Sequence, residues 1–365
     1  MARRIIATKD NTITSQGTEP LSREVARPIF GESVLAIDYN FAEKGILDDD
    51  ITFSRASGAT QTNSEGKVAF APHNLLIHSE AFDQWGNAAV ATANTHPNPI
   101  DGLITADTVG SNGGVKHRTI SVTLPQADTY IFSIYLKRKT GTGIIRIGDF
   151  TDGTNEVAVT DEWQRFSRTA TLAAGAHTFT LRIDTTDDEV YAWGAQVERR
   201  LDGGTTPTDY NKTSGAAYQA PRFDFDHLKN PKGLLIEEAR TNSLTQSIDL
   251  TGYESPSSFW LANADISPSG IKDADRLYEE SDTAIYHRLN YTASTSANTL
   301  SFYAKKGAVR DWIYTYLYSG SAEVEYAFFN LSTGQVGTTS GLGGYGIKDA
   351  GNGWYRCWVY RSTAG

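Results

Sequence analysis

Hydrophobic and polar residues alternate along this chain in short runs. Tyr130-Ile-Phe-Ser-Ile-Tyr-Leu136, His177-Thr-Phe-Thr-Leu-Arg-Ile183 and Thr299-Leu-Ser-Phe-Tyr-Ala304 each put every second side chain on one face when extended. Gly-, Asn- and Asp-rich stretches separate the runs, and no sustained period of 3.6 residues interrupts them. A period of two punctuated by turn residues predicts strands joined by tight connections, as in an antiparallel sandwich. Tyr130, Phe132 and Ile134 share one face and are expected to line its core, with Trp85, Trp163, Trp193 and Trp354. The 33 Gly, 18 Tyr, 15 Phe and 7 Trp fit this reading, because aromatic side chains suit pleated surfaces and glycine supplies turns. The fold class is all-β.

The pattern also repeats at long range. At an offset of 168 residues, Asn74 and Leu76 fall on Asn242 and Leu244, and Ser79, Phe82 and Trp85 on Ser247, Leu250 and Tyr253. Gly102-Leu103 and Ala106-Asp107 fall on Gly270-Ile271 and Ala274-Asp275, while Ser133, Tyr135 and Lys137 fall on Ser301, Tyr303 and Lys305. Trp163-Gln-Arg-Phe166 matches Trp354-Tyr-Arg-Cys357 at an offset of 191, so the second copy carries about 23 extra residues in its middle hairpins. Two copies of one sandwich are expected, over residues 74–213 and 242–365. After Trp163 the first copy runs on through Tyr191-Ala-Trp-Gly-Ala-Gln-Val-Glu198, whereas 11 residues follow Trp354. The second copy is therefore expected to be C-terminally incomplete. Either the natural chain continues, or a neighbouring chain supplies the missing strands.

Composition narrows the function. The formal net charge is −10, which argues against neutralising nucleic-acid phosphates. The single cysteine, Cys357, leaves no intrachain disulfide and no cysteine-cluster metal site, and reads as a small buried hydrophobe. No apolar run approaches the roughly 18 residues of a membrane span, and no signal-peptide core follows Met1-Ala-Arg-Arg4. Synthesis in the cytoplasm is expected.

Several segments resemble a recurring pattern in phage tail and virion structural proteins. They are Ile51-Thr-Phe-Ser-Arg-Ala-Ser57 with Asn74-Leu-Leu-Ile-His-Ser-Glu80, and Pro221-Arg-Phe-Asp-Phe-Asp226 with Gly233-Leu-Leu-Ile-Glu-Glu-Ala-Arg-Thr-Asn242. Trp193-Gly-Ala-Gln-Val-Glu198 with Thr206-Pro-Thr-Asp-Tyr210, and Gly353-Trp-Tyr-Arg-Cys357, belong to the same pattern. The resemblance spans about residues 36–365. It implies a phage fibre or appendage protein built from tandem antiparallel jelly-roll β-sandwiches similar to carbohydrate-binding modules. It further implies a homotrimeric virion protein, made in the host cytoplasm, that contacts host-surface glycans and does not insert into membranes. The N-terminus is polar to about Pro28, and residues 1–35 read as an extended arm that orders on other virion proteins, the alternative being a disordered tail. Residues 36–73 and 214–241 are expected to form one small discontinuous β unit with the first sandwich inserted, with strand pairing between Ile51–Ser54 and Arg222–Asp226. Two independent linkers are the alternative.

Candidate chemistry is sparse. The seven histidines (73, 78, 96, 117, 177, 227 and 287) are scattered, and no catalytic or phosphate-binding motif occurs. No enzymatic activity and no cofactor are expected. Carboxylates gather at Asp48-Asp-Asp50 and at Asp184, Asp187, Asp188 and Glu189. The second group reads as a polar hairpin turn, or as a structural Ca²⁺ site, since hard cations take several carboxylate oxygens. Trp312, Tyr314, Tyr316 and Tyr318 alternate, so one strand face carries all four, while Ile313, Thr315 and Leu317 take the other. If the aliphatic side is the core, the aromatic row faces outward, where rings stack on the C–H faces of sugars. Lys305, Arg310 and Asp311 are expected to flank such a groove. The same row could instead be core or a subunit contact. The readings that follow are a glycan-binding fibre subunit, a purely structural or decorating subunit, and the non-catalytic front part of a depolymerase.

Overall fold

A computed structural model of the chain describes residues 6–7, 13–14, 40–47, 51–86, 88–201, 203–237, 242–244, 247–248, 250, 253, 259–278, 290, 299–317 and 325–361. The proposed arm (1–35), Asp48–Asp50, Tyr318 and His287 lie wholly or mostly outside these residues. The chain divides into two compact units, one of Leu47–Gln61 and Ala69–Arg222, the other of Met1–Ile46, Thr62–Val68 and Phe223–Gly365. Short elements come first: β1 (Ile6–Ala7) pairs with β2 (Ile13–Thr14), helix α1 (Phe41–Lys44) follows, and β3 (Thr60–Thr62) pairs with β4 (Val68–Phe70).

The first sandwich runs from β5 (His73–Asn74) to β15 (Tyr218–Gln219), which pair with each other. Between them lie β6 (Val90–Pro97), β7 (Ile104–Gly110), β8 (Lys116–Leu124), β9 (Asp128–Thr140), β10 (Ile145–Asp149), β11 (Gly153–Val157), β12 (Gln164–Leu172), β13 (Gly175–Ile183) and β14 (Glu189–Arg199). All pair antiparallel, in one sheet of order β12-β9-β14-β7-β6 and another of order β11-β10-β13-β8. This is the antiparallel sandwich expected from the alternation, in the jelly-roll form that the resemblance implied. Its core takes the inward row of each strand: Tyr130, Phe132, Ile134 and Leu136 of β9, Val190, Ala192, Ala195 and Val197 of β14, and Phe179, Leu181 and Ile183 of β13. Burying each large side chain contributes about 1.5–3 kcal/mol, and the many inward rows make this a deep core.

The second unit adds β16 (Phe223–Phe225), β17 (Pro231–Leu234), β18 (Phe259–Asp265), β19 (Ala274–Tyr278), β20 (Thr299–Lys305), β21 (Trp312–Leu317), β22 (Glu325–Asn330), β23 (Gln335–Ser340), β24 (Leu342–Gly351) and β25 (Trp354–Arg361). β16 pairs with β17, and residues 51–54 form no strand, so the pairing expected between Ile51–Ser54 and Arg222–Asp226 is absent. Asp224 of the same stretch accepts the Thr62 backbone N–H instead, at 2.8 Å. The described strands of the second sandwich form three sheets, β18-β19, β20-β25-β24 and β21-β22-β23. Its core gathers Ala304, Ala327, Phe329, Leu331, Cys357 and Val359. Cys357 is fully buried there, and burial pushes its thiol up to about 12.

The repeat is geometric as well as sequential. In the first sandwich Asp107 accepts the backbone N–H groups of Phe82 and Asn94; in the second, Asp275 accepts those of Leu250 and Asn263. Asn94 and Asn263 both sit at a φ of 53°, in the left-handed region that asparagine tolerates, each inside a register shift of its strand. The extra residues of the second copy are β23 and β24. The first extends the sheet of β21 and β22, and the second joins β25 in the opposite sheet.

Candidate functional site

Strand β21 settles which way its alternating residues point. Ile313 and Leu317 pack on the core, so Trp312, Tyr314 and Tyr316 take the opposite face. Trp312 is 50% exposed and Tyr314 39%. Register across the pair then sets Tyr314 against Phe328 and Tyr316 against Tyr326 of β22. Since Ala327 and Phe329 point inward, Tyr326 and Phe328 join the outer row. The Tyr314 ring lies 5.6 Å from that of Tyr316 with planes 19° apart, and 4.9 Å from that of Phe328. Gly337 of β23 lies beneath the indole: a Cβ there would come within 2.6 Å of Trp312 and 3.3 Å of Phe328. The result is an aromatic platform two strands wide, with Trp312 at one end.

The expected flanking residues divide. Asp311, adjoining Trp312, is held by Lys306 at 2.5 Å and by the Ser332 hydroxyl at 2.9 Å, and the Lys306 ammonium keeps its carboxyl below the usual range. Arg310 sits one residue before it. Lys305 belongs to β20, in the other sheet. Its ammonium pairs with Asp265 at 2.8 Å and lies 6.0 Å from the Trp354 ring centre, so it does not flank the platform. Sequence reasoning missed Tyr326, Phe328 and Gly337. The alternation of Tyr326-Ala-Phe-Phe329 signals an outward row, but only the pairing register shows that it adjoins Tyr314.

The carboxylates proposed for Ca²⁺ diverge. Asp184 receives Arg146 Nε at 3.0 Å and Arg182 Nε. Asp188, nearly buried, accepts the Gly143 N–H at 2.7 Å and Arg138 Nη1 at 3.3 Å, and Glu189 pairs with Lys139 at 3.0 Å. Asp187 sits in the turn at a φ of 65° and donates its backbone N–H to the Ser111 carbonyl. Among the described residues no group of three potential ligands converges on a metal. The cluster is a hairpin turn whose charges are met by cations and backbone amides, which corrects the Ca²⁺ expectation.

The tryptophans also need a correction. Trp85 is in the inter-sheet core of the first sandwich; Trp193 is also buried, at 4% exposure, but on the other face of its sheet, and Trp163 is half-buried outside that core. With Val190, Ala192, Ala195 and Val197 inward, Tyr191, Trp193, Gln196 and Glu198 face outward. There residues 205–213 cross the sheet. Gln196 accepts the Asn211 N–H at 2.8 Å, Glu198 accepts the Thr208 N–H at 2.8 Å, and the Tyr210 ring lies 4.6 Å from that of Trp193. Asn74 clamps the same strand, donating to the Ala195 carbonyl and accepting the Val197 N–H. The Trp-Gly-Ala-Gln-Val-Glu and Thr-Pro-Thr-Asp-Tyr segments are thus one buried polar lock. Nearby, His96 stacks on Tyr191 with ring centres 3.8 Å apart and lies 6.1 Å from Trp163. Burial, then the Lys137 charge, lower its pKa. Trp354 of the second sandwich is buried outside its core cluster and donates its indole N–H to the Ile266 carbonyl at 2.9 Å.

No protein-family model matches this sequence, and no curated protein matches it. Solved structures do show local likeness. TmCBM61 in complex with beta-1,4-galactotriose is similar over 35% of this chain and 99% of its own, at 18% identity and a TM-score of 0.28. A family 16 carbohydrate-binding module is similar over 34% of this chain and 100% of its own, at 15% identity and a TM-score of 0.26. The enzymatically active domain of bacteriophage CBA120 tailspike protein 4 is similar over 34% of this chain and 21% of its own, at 12% identity and a TM-score of 0.26.

Proposed function

We propose that this chain is a non-enzymatic phage virion protein, a tail or capsid fibre subunit that attaches to host-surface glycans through its β-sandwiches. The observation that carries the reading is the aromatic platform of β21 and β22, exposed at Trp312 and Tyr314 and half-buried at Tyr316, Tyr326 and Phe328. Contiguous exposed apolar surface on a folded protein marks an interaction site. Parallel tyrosine rings beside an exposed indole match the C–H faces of successive sugar rings, and the phenol and indole edges hydrogen-bond the hydroxyls. Shallow sites of this kind bind weakly one at a time. Display in several copies on a particle, with residues 1–35 held by other virion proteins, raises the effective concentration and makes attachment firm.

The test is a glycan-array screen of the full chain beside a Trp312→Ala, Tyr314→Ala double variant, both checked by circular dichroism. Binding by the parent, weakened at least tenfold in the variant, is expected. Equal binding by both, or binding by neither under multivalent display, would overturn the reading. If the variant alone then failed to oligomerise in sedimentation, the platform would be a contact between subunits.

A further inference from the structure

The duplication lets one position be compared in two sandwiches. His96 of β6 and Asp265 of β18 are equivalent, because each is the strand partner of an alanine, Ala106 or Ala274, that the repeat aligns. Lys137 of β9 and Lys305 of β20 fall on each other at the offset of 168, and Trp163 on Trp354 at 191. Lys305 lies directly across from Trp354 in the pairing of β20 with β25. The pairing of β9 with β12 reaches Leu136 and Gln164, and one further step of that register sets Lys137 beside Trp163. Both sandwiches thus carry the same frame of lysine and tryptophan next to residue 96 or 265.

In the second sandwich the frame satisfies itself. The Lys305 ammonium pairs with the Asp265 carboxylate at 2.8 Å and lies 6.0 Å from the Trp354 ring centre. In the first, an imidazole stands in place of the carboxylate. His96 stacks on Tyr191 and lies 6.1 Å from Trp163. Lys137 remains, half-buried, with Tyr191 as its register partner in β14. Among the described residues its ammonium has neither an ion-pair partner nor a hydrogen-bond acceptor. Lys139, two residues on along the same face, is met by Glu189 at 3.0 Å. Asp161 and Glu162, just before Trp163, are exposed and pair with neither lysine. A half-buried ammonium without an acceptor is costly, and the second sandwich shows which group satisfies it: a carboxylate at the position of residue 96.

We propose that the first sandwich binds a carboxylate-bearing saccharide, whose carboxylate meets Lys137 as Asp265 meets Lys305. The rest of the face suits a sugar ring. Trp163, His96 and Tyr191 surround the ammonium with rings for C–H groups to pack on. Thr108, the partner of Tyr191 in β7, and Thr95, hydrogen-bonded to it at 2.7 Å, add hydroxyls for those of the ligand. A chain of net charge −10 repels acidic ligands at long range, so accepting one requires a local cation of this kind. The site belongs to a different sandwich from the aromatic platform and does not depend on it.

Calorimetric titration of the full chain with oligosaccharides containing galacturonate, glucuronate or N-acetylneuraminate tests this, each beside its carboxyl-reduced counterpart. At least one acidic probe should bind about tenfold more tightly than its neutral counterpart, the contribution of one charge-assisted hydrogen bond. Lys137→Met should erase that preference with circular dichroism unchanged. His96→Asp should set beside Lys137 the carboxylate that the second sandwich has, so that the preference is lost while the first sandwich melts at a higher temperature. The Trp312→Ala, Tyr314→Ala double variant should keep the preference, which separates this site from the platform. The proposal is overturned if no acidic probe outbinds its reduced counterpart, or if the preference survives either Lys137→Met or His96→Asp. Loss of the preference in the platform variant would also overturn it, as would an oligoglutamate peptide that binds more tightly than every acidic sugar, since the occupant would then be a protein.

Discussion

At the scale of single residues, polar side chains are fixed by partners that one protonation state allows. The buried His73 ring places Nδ1 2.9 Å from the Ala71 carbonyl and Nε2 2.9 Å from the Arg199 backbone nitrogen. These partners assign the neutral ring with Nδ1–H donating and Nε2 accepting. A second proton at Nε2 would face the Arg199 N–H, and burial lowers the His73 pKa. The unfolded chain therefore takes up the proton first, so stability should fall as pH drops below about 6.5, the unfolded histidine value. Urea midpoints between pH 7.5 and 5 should show this loss, and His73→Gln should flatten the His73 part of the slope. Gly337 makes a second prediction. Gly337→Ala places a Cβ against an exposed, movable indole, so the fold should survive while Trp312 lifts from the platform. Glycan affinity should weaken several-fold with unchanged circular dichroism. Little at this scale was legible in the sequence. The sequence places Lys305 beside the aromatic row, whereas in the fold it pairs with Asp265. Asp184, Asp188 and Glu189 are close in sequence, yet their carboxylates separate toward Arg146, Arg138 and Lys139.

At the scale of elements, alternation was a sound guide to faces. Ile313 and Leu317 turn inward and Trp312 and Tyr314 outward, because one face of a half-buried strand must bury its apolar row. It does not assign a face to Trp163 and Trp193: Trp193 is buried as its aromatic character suggests and Trp163 only half-buried. Those rings lie on the opposite face, Trp193 under Tyr210 and Trp163 near His96. A sheet whose outer face is covered by residues 205–213 is buried on both sides, and alternation then no longer separates inside from outside. The glycine of Trp193-Gly194 shows how closely that cover fits. At a φ of 62°, its absent Cβ would lie 3.0 Å from the Tyr135 ring and 3.5 Å from the Tyr210 ring. Gly194→Ala should therefore combine backbone strain with crowding and cost about 1–3 kcal/mol, read as a lowered urea midpoint for the first sandwich.

At the scale of the whole molecule, two separate cores imply two unfolding events. Among the described residues the first core draws on many strands of both sheets, and the second gathers Ala304, Ala327, Phe329, Leu331, Cys357 and Val359. Phe179→Ala and Phe329→Ala, each removing a buried ring, should each cost about 3–5 kcal/mol and shift a different transition. Urea titrations followed by tryptophan fluorescence and circular dichroism would separate the two. A single transition shifted equally by both substitutions would contradict this arrangement.

The sequence by itself determined the class of fold, the duplication, the place of the added hairpin and that Trp312 and Tyr314 share one strand face. These follow from period and spacing, which covalent geometry imposes on any extended chain. Tertiary structure decided what stands beside what. It set Phe328 against Tyr314, dispersed the carboxylates onto cations, closed Asn74 onto β14 and left Asn242 on Ser247. Such neighbours depend on strand order and register, which join residues more than a hundred positions apart through hydrogen bonds and packing that no local pattern encodes.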